Sequence, residues 1–177
     1  WASLDQACEI RGGLQKQPGR APKDHHFPYL RVANVHRGFV DLTELKRFEL
    51  TETELLRHRL ETGDLLVVEG NGSKTEIGRC AIWKGGIENC VHQNHIIRVR
   101  LIDGIMPAFA DQFLNSPTGQ RAIQSIASST SGLYTLSVAK IAKLPLAVPP
   151  RSEQAAIVEA VEDQFSVIDH LERDLDA

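Results

Sequence analysis

One segment of the chain has residue types that suit phosphate binding: Gly70-Asn71-Gly72-Ser73-Lys74-Thr75. A phosphate-binding loop of the pattern G-x-x-x-x-G-K-[ST] needs both glycines, because they let backbone N–H groups approach the phosphates. Val68 and Ser73 stand at those two positions, so this segment cannot wrap a triphosphate. Asn71 and Gly72 tolerate positive φ, which predicts a tight turn between two strands. The polar tip of such a turn suits phosphates and base edges alike.

Metal binding and catalysis are less well supported by the sequence. Cys90, His92 and His95, with Cys80 upstream, could in principle hold zinc, but the spacing matches no common zinc site. The acidic residues that flank the apolar run 65–68 only superficially resemble a metal-dependent nuclease. No Ser/His/Asp or Cys/His arrangement can be assembled with specificity, and no glycine fingerprint for adenosylmethionine follows a strand. We therefore expect neither a catalytic site nor a metal site in this chain.

Polar side chains alternate with apolar ones near residues 93–101. Arg98 and Arg100 lie on the face opposite the apolar residues, and Gln93 and Asn94 come just before them. An amide can pair bidentately with adenine and an arginine with guanine, so this stripe suits base reading. A second polar group follows the first strand: Asn34, His36 and Arg37. The alternative is an ordinary solvated sheet face, which we expect for about half of such residues.

The elements that must position these residues can be outlined from the sequence. Strands are predicted over residues 29–35, 65–68, 77–83 and 95–101, and loops over residues 11–26 and 128–132. The uniformly apolar run 65–68 predicts a strand buried on both faces. Helices are predicted over residues 51–59, 108–115 and 118–127, with one more helical turn over 137–142. Strands come first and helices later, which indicates an α+β fold with a mixed β-sheet body and C-terminal helices.

The C-terminal residues predict a long helix that forms a coiled coil. A proline-rich turn over residues 144–154 precedes it, and we interpret this turn as a hinge. The heptad positions of the helix are Ile157, Val161, Gln164, Ile168, Leu171 and Leu175. Because one helix cannot bury its own a/d stripe, this seam needs a partner helix. The seam still continues where the sequence stops, so we expect the chain to be a piece of a longer protein.

Charge divides the chain in the same place. Residues 1–150 contain 18 Lys and Arg against 15 Asp and Glu, whereas residues 151–177 contain 2 against 8. A weakly basic body of this kind could approach a polyanion, and the acidic helix would be repelled by one. The odd number of cysteines, three, and the lack of an apolar run of about 18 residues lead us to expect a reduced, cytoplasmic protein.

Five ordered motifs together resemble one target recognition domain and the adjoining helix of a type I restriction–modification specificity (S) subunit. They are Pro28-Tyr29-Leu30-Arg31-Val32-Ala33-Asn34-Val35, Gly63-Asp64-Leu65-Leu66, Ile77-Gly78-Arg79, His92-Gln93-Asn94-His95, and Leu144-Pro145-Leu146 with Pro149-Pro150 and Glu153-Gln154. The likeness covers nearly the whole chain. One departure is Thr135, at a position where relatives often have Asn.

The resemblance implies a non-catalytic DNA reader, with residues 1–147 as the recognition domain and residues 148–177 as the start of the spacer helix. It implies that the domain reads one half of a bipartite site in double-stranded DNA. The helix would pack on that of a second recognition domain, or of a second copy, and dock methyltransferase (M) subunits, while restriction (R) subunits cleave DNA. Adenosylmethionine, ATP and Mg would bind those partner subunits, and no cofactor would bind this chain. The candidate DNA-binding residues are Asn34, His36, Arg37, Asn71, Ser73, Lys74, Arg79, Gln93, Asn94, Arg98, Ser131 and Tyr134.

Two other functions remain open from the sequence. A DNA-independent assembly module could use the same coiled-coil helix, and an enzyme is a more distant third possibility. The first of these differs from a DNA reader in whether the polar loops of the body contact DNA. A salt-dependent binding assay with duplex DNA separates them.

Overall fold

A computed structural model describes residues 1–130 and 132–175 of the chain. Short strands and helices are mixed along residues 1–150, and one long helix follows, which confirms the α+β class. The strands are β1 (Ala2–Ser3), β2 (Cys8–Gly12), β3 (His26–Leu30), β4 (Lys46–Glu49), β5 (Leu65–Val68), β6 (Gly70–Asn71), β7 (Cys80–Ile82), β8 (Val91–His92), β9 (Ile96–Leu101), β10 (Ser128–Thr130), β11 (Leu133–Thr135) and β12 (Pro145–Leu146). The helices are α1 (Leu4–Ala7), α2 (Glu52–His58), α3 (Pro107–Asn115), α4 (Pro117–Ile126), α5 (Val138–Ile141) and α6 (Arg151–Leu175).

A four-stranded antiparallel sheet in the order β2-β9-β5-β7 forms the centre of the body. Both faces of β5 are covered, because Leu65 and Val67 pack into one hydrophobic cluster and Leu66 and Val68 into another. The first cluster also contains residues of α1, α3, α4 and α5, and the second contains Leu30 and its neighbours. The prediction that this apolar run is buried on both faces is confirmed.

A second sheet, β4-β3-β8, lies beside the central one and has its own small core. Tyr29 of β3 and Phe48 of β4 stack with ring centroids 3.7 Å apart and nearly parallel planes. β3 runs antiparallel to β4 and parallel to β8, with Tyr29 opposite Val91. A third sheet, β10-β11-β6, is formed from short strands near the end of the body.

Helix starts follow the capping signals in the sequence. The Thr51 hydroxyl accepts from the Glu54 N–H, and the Glu54 carboxylate accepts from the Thr51 N–H, which is the capping box expected at the start of α2. Pro107 and Pro117 are the first residues of α3 and α4, where a missing N–H costs nothing. These helices, and the short turn α5, are confirmed to within two residues.

Two strand predictions and one loop prediction are wrong in part. The strand predicted over 29–35 lies over His26–Leu30 and gives way to a 3-10 turn at Val32–Asn34. The strand predicted over 77–83 is reduced to Cys80–Ile82, since the residues before it form turns. Strand β2 enters residues 11–26, predicted as an uninterrupted loop, because Cys8–Gly12 pair with β9. Sheet pairing between distant segments, which local pattern does not encode, decides all three.

The start of α6 is fixed to the body by Gln154, whose side chain is 1% exposed. Its amide donates to the carbonyl oxygens of Gly104 and Pro149, both at 2.9 Å, and accepts from the Met106 N–H at 2.8 Å. Val158, one turn later, is also buried. These bonds attach the first turns of the helix to the start of α3 and the segment before it, so the predicted hinge over residues 144–154 ends at a residue that is bonded to the body.

No helix in the described parts of the chain is long and apolar enough to cross a membrane. Cys8, Cys80 and Cys90 are free and buried. Burial raises the pKa of Cys8 and of Cys90 to about 12, so neither thiol is a ready nucleophile near neutral pH.

Candidate nucleic-acid interface

Pairing of β6 with β11 places Asn71 opposite Tyr134, two residues that are far apart in sequence. The Asn71 side chain accepts from the Ser73 N–H at 2.8 Å, and the Ser73 hydroxyl lies 2.8 Å from that of Thr75. Neither Asn71 nor Gly72 has a positive φ, so the predicted tight turn at these two residues is wrong. The chain reverses over residues 73–78 instead, and Gly78 has the positive φ, +71°.

The turn between β8 and β9 lies against this sheet. The His95 N–H donates to the Glu69 carboxylate at 3.1 Å, and the Glu69 N–H donates to the His95 carbonyl at 2.8 Å. Gln93 and Asn94 in the same turn are partly exposed. We name the residues that these contacts bring together the outer patch: Asn71, Ser73, Lys74, Gln93, Asn94, His95 and Tyr134.

Several contacts fix the backbone of this turn. His95 has a φ of +74°, a conformation that non-glycine residues rarely adopt. The Asn94 N–H donates to the Leu14 carbonyl at 2.7 Å, and the Leu14 N–H donates to that of His92 at 2.9 Å. Gly13 permits this approach, since a Cβ atom there would lie 2.1 Å from the Gln93 carbonyl oxygen. The turn therefore presents the Gln93 and Asn94 side chains in a defined geometry.

His36 and Arg37 lie next to the outer patch, although their polar groups are partly engaged. The His36 ring stacks on Phe39 with centroids 4.6 Å apart. The Arg37 guanidinium donates to the Thr75 carbonyl at 3.1 Å and to the Asn115 side chain at 3.2 Å. These bonds join the loop of residues 35–39 to the loop that carries Ser73 and Lys74. Arg37 thus positions this loop while its side chain stays 36% exposed.

The side chains of Asn34 and Arg79 are bonded to backbone carbonyls inside the body. Asn34 is 3% exposed, accepts from the Arg31 N–H at 2.8 Å, and donates to the carbonyls of Asp41 and Glu44. Arg79 donates to the carbonyls of Val35 at 2.7 Å and Val32 at 3.0 Å. Both residues hold the 3-10 turn Val32–Asn34 in place, so their assignment to the interface is not supported.

Arg98 is likewise interior, with a side chain that is 2% exposed. It donates to the Glu9 carboxylate at 2.7 Å and to the Arg59 carbonyl at 3.2 Å. The predicted alternation along β9 is confirmed, but the polar face of this strand is covered rather than open. Arg100, on the same face, is paired with Asp64 and Glu61. Ser131, the remaining candidate, lies outside the described residues.

A buried histidine, His92, and a half-buried one, His58, lie near Arg98. Burial, with a smaller effect of the nearby arginines, lowers the pKa of His58 to about 4 and that of His92 to about 3. The Nδ1 atom of His92 lies 3.0 Å from the Ile96 carbonyl and must donate to it. Within residues 1–130 and 132–175, no three His, Cys, Asp or Glu side chains are placed to hold a metal ion together.

The predicted coiled-coil seam is divided between two environments. Ile157 and Val161 line a groove against α3, together with Phe109 and Phe113. Beyond that groove, Gln164, Ile168, Leu171 and Leu175 are exposed, and Leu175 is exposed most, at 86%. Phe165 and Val167, which are not seam residues, are also exposed.

Sequence reasoning missed His95 as part of the patch and Glu69 as the residue that holds it. The Glu69 carboxylate accepts from the N–H of a residue 26 positions away, and no local pattern predicts such a contact. His95 follows two amide residues and precedes an apolar strand, which could have marked it as the last residue of the turn.

Sequence comparison identifies relatives of known description. The chain is 34% identical over 166 residues to the type I restriction enzyme EcoKI specificity subunit of Escherichia coli K12, covering 93% of the chain and 35% of that protein. It is 30% identical over 164 residues to the StySPI specificity subunit of Salmonella potsdam, covering 91% of the chain and 35% of that protein. No family model matches the chain.

Solved structures share the fold at low sequence identity. A chain from a study of complex assembly and conformational transition of the type I R-M system aligns with a TM-score of 0.72 at 14% identity, covering 98% of this chain and 40% of that one. The HsdS subunit from Thermoanaerobacter tengcongensis aligns with a TM-score of 0.64 at 13% identity, covering 98% and 39%. The chain thus spans well under half the length of the proteins it matches. By sequence and fold, it belongs to the family of type I restriction enzyme specificity subunits and corresponds to one part of such a subunit.

Proposed function

We propose that this chain is a DNA-reading module of a type I restriction–modification enzyme, with residues 1–147 as one target recognition domain and residues 148–177 as the beginning of a spacer helix. The observation that carries the proposal is the identity of 34% to a named specificity subunit over 93% of the chain. In this role the chain is not an enzyme. It selects the DNA sequence on which other subunits act.

The outer patch supplies the chemistry that such a module needs. Gln93 and Asn94 offer side-chain amides, which can bond bidentately to adenine in the major groove. Lys74, an exposed ammonium group on the neighbouring loop, suits a phosphate contact that fixes orientation without reading sequence. Because these groups sit on two loops joined through Glu69 and His95, they can meet one stretch of duplex together.

The low net charge of the body indicates that other subunits of the complex would supply part of the contacts to DNA. A net charge of +3 over residues 1–150 provides few phosphate contacts, so we expect weak binding by the chain alone and tighter binding in a complex. In that complex the module reads one half of a bipartite site, and the exposed seam of α6 packs on the helix of a second recognition domain and docks M subunits. Adenosylmethionine, ATP and Mg belong to the M and R subunits, and the assembly acts in the cytoplasm.

The test is selection of duplexes from a random-sequence library by the immobilised chain at low salt, followed by sequencing. We expect enrichment of one short motif, and affinity that falls as salt rises. The K74A variant should enrich the same motif with lower yield, since a phosphate contact is sequence-independent. Duplex binding without any enriched motif would contradict the recognition role.

A DNA-independent assembly module is the second candidate, and the exposed apolar side chains on α6 favour it. Ile168, Leu171 and Leu175 form a stripe that suits a helical partner whether or not the body binds DNA. Absence of any salt-dependent duplex binding, together with association through α6, would favour this function over the first.

A further inference from the structure

A basic groove runs along the sheet β4-β3-β8, outside the outer patch. Its volume is about 660 Å³, and the stacked rings of Tyr29 and Phe48 contribute to its lining. The segment of residues 16–22, with its two prolines, forms the other wall. Four cationic residues line it, and among the described residues no carboxylate does: Lys16, Arg20, Lys46 and Arg47. We call this feature the lysine groove.

The arginines and lysines of the lysine groove have different roles. Arg20 donates to the Glu54 carboxylate at 2.7 Å and to the Gln15 carbonyl at 3.1 Å, which attaches the loop to the body. The Arg47 guanidinium lies 3.1 Å from His26 Nδ1. Lys16 and Lys46 are exposed, and the side chain of neither makes a hydrogen bond or ion pair within the described residues. The groove therefore presents two ammonium groups that no described carboxylate neutralises. The loop that forms one of its walls is held in place by Arg20.

Backbone bonds link the elements that line the lysine groove to the turn that carries Gln93 and Asn94. Lys16 is two residues after Leu14, whose backbone is bonded to both His92 and Asn94. On the other side, Lys46 pairs with Tyr29, and Tyr29 pairs in turn with Val91 at the start of β8. The strand that leads into the turn of Gln93 and Asn94 is thus paired with β3, which contributes Tyr29 to the groove.

We propose that the lysine groove receives the phosphodiester backbone of the DNA duplex whose bases the outer patch reads. The inference rests on the proposed function and extends it to a surface that no motif in the sequence marks. Ammonium groups act as compact point charges, so Lys16 and Lys46 can neutralise phosphates without demanding a particular base or a bidentate geometry. The groove then fixes the angle of the duplex, and the amides of Gln93 and Asn94 read it.

The experiment measures binding of a fluorescent duplex that contains the selected motif, at several salt concentrations. For the K16A/K46A variant, the slope of the logarithm of the binding constant against the logarithm of the salt concentration should be smaller in magnitude by about 1.8. Each phosphate contact contributes about 0.9 to this slope. The base preference of the variant should equal that of the parent. The matched control is K84A/K143A, which removes the same charge from two exposed lysines outside the groove and should leave the slope within error.

Four outcomes overturn the proposal. Equal slopes for K16A/K46A and the parent show that the groove does not meet DNA, while the parent's own binding keeps the proposed function intact. Equal losses in both double variants show an effect of net charge alone. If inorganic phosphate raises the melting temperature of the parent but not of K16A/K46A, and the DNA slopes are unchanged, the groove binds small anions instead. A parent that binds no duplex removes both the proposed function and this inference.

Discussion

Around the central sheet, Asn34, Arg98 and Gln154 are buried and bonded to neighbouring groups, whereas in the outer patch Lys74, Gln93 and Asn94 keep exposed polar groups. We call the first set the inner polar residues. The residue types in the two regions are nearly the same, so residue type alone cannot tell a structural polar group from a recognition group. The difference lies in whether the bonding capacity of the side chain is already satisfied within the fold. Variants of the inner polar residues should therefore change stability, and variants of the outer patch should change binding.

The largest effect is expected from R98A. Removal of this buried guanidinium takes one donor from the Glu9 carboxylate and one from the Arg59 carbonyl, which keep Arg11 and Arg100 as their other donors. Because two hydrogen bonds of a charged group and the packing of a fully buried side chain are lost together, the free energy of unfolding should fall by about 3 kcal/mol. Urea unfolding measures the change. R57A, at an exposed arginine, is the control and should change stability by less than about 0.5 kcal/mol.

A smaller loss is expected from Q154A. The substitution leaves the Gly104 and Pro149 carbonyls and the Met106 N–H unpaired, which should lower the free energy of unfolding by about 2 kcal/mol. Q164A makes the same chemical change at an exposed position of the same helix. Similar unfolding midpoints for Q154A and Q164A would contradict the assignment of Gln154 as the attachment point of α6.

Acidification should destabilise the inner region through His92. Burial lowers the pKa of His92 to about 3 in the folded chain, so the unfolded chain binds more protons as the pH falls below its ordinary value near 6.5. Stability is therefore lost as the pH falls, by about 1.5 kcal/mol for this group between pH 6.5 and 5. H92Q should show a correspondingly shallower dependence on pH.

Other groups titrate in the same range. His58, with its pKa lowered to about 4, contributes with the same sign as His92. Asp111 contributes with the opposite sign, since burial raises its pKa to about 6 and the folded chain then binds the extra proton. The difference in slope between the parent and H92Q isolates the contribution of His92. Parallel slopes for the two proteins would show that His92 is not the titrating group.

In the outer patch, N94A and Q93A should leave stability unchanged and alter recognition. If either amide meets a base edge, its loss should remove about 1 kcal/mol or more of discrimination at one base pair. Sequencing of the selected duplexes, or of the methylated motif in an assembled enzyme, reports which base pair is relaxed. An unchanged motif in both variants would move these residues from recognition to support of the turn.

The smallest effect on stability is expected at the far end of α6. I168E/L171E changes two exposed apolar residues, so the free energy of unfolding should change by less than about 0.5 kcal/mol. The same variant should abolish a weak antiparallel association of the chain at high concentration and the docking of M subunits. Sedimentation of I168E/L171E and of the parent provides the comparison. Equal association would leave this part of the helix as a solvated surface.

Much of the architecture could be predicted from local pattern. The capping box at Thr51, the prolines before α3 and α4, and the apolar run of β5 are short-range signals with a direct physical reading. The seam of α6 was also visible, because its period is a property of one segment. Which part of that seam the body covers was not visible, since it depends on where Gln154 is bonded.

The candidate site could be predicted less well. Side-chain chemistry alone assigns Asn71, Lys74, Gln93 and Asn94, and the structure leaves their side chains at least partly exposed. The same reasoning assigns Asn34, Arg79 and Arg98, but tertiary partners such as Glu9 engage these side chains within the fold. Lys16 and Lys46 were not assigned, since each stands in a segment without a motif and the groove exists only after the chain has folded.

Because Gln154 attaches α6 to the body near its first residue, a tilt of the helix about this point produces a larger displacement at its far end. From Gln154 to Leu175 the helix extends about 32 Å, at about 1.5 Å per residue. A tilt of about 10° at the pivot would move the far end by about 5–6 Å, more than the rise of about 3.4 Å between neighbouring base pairs. The three hydrogen bonds of the Gln154 side chain therefore limit tilting of α6, and a small change in their geometry would displace the far end of the helix by several ångströms.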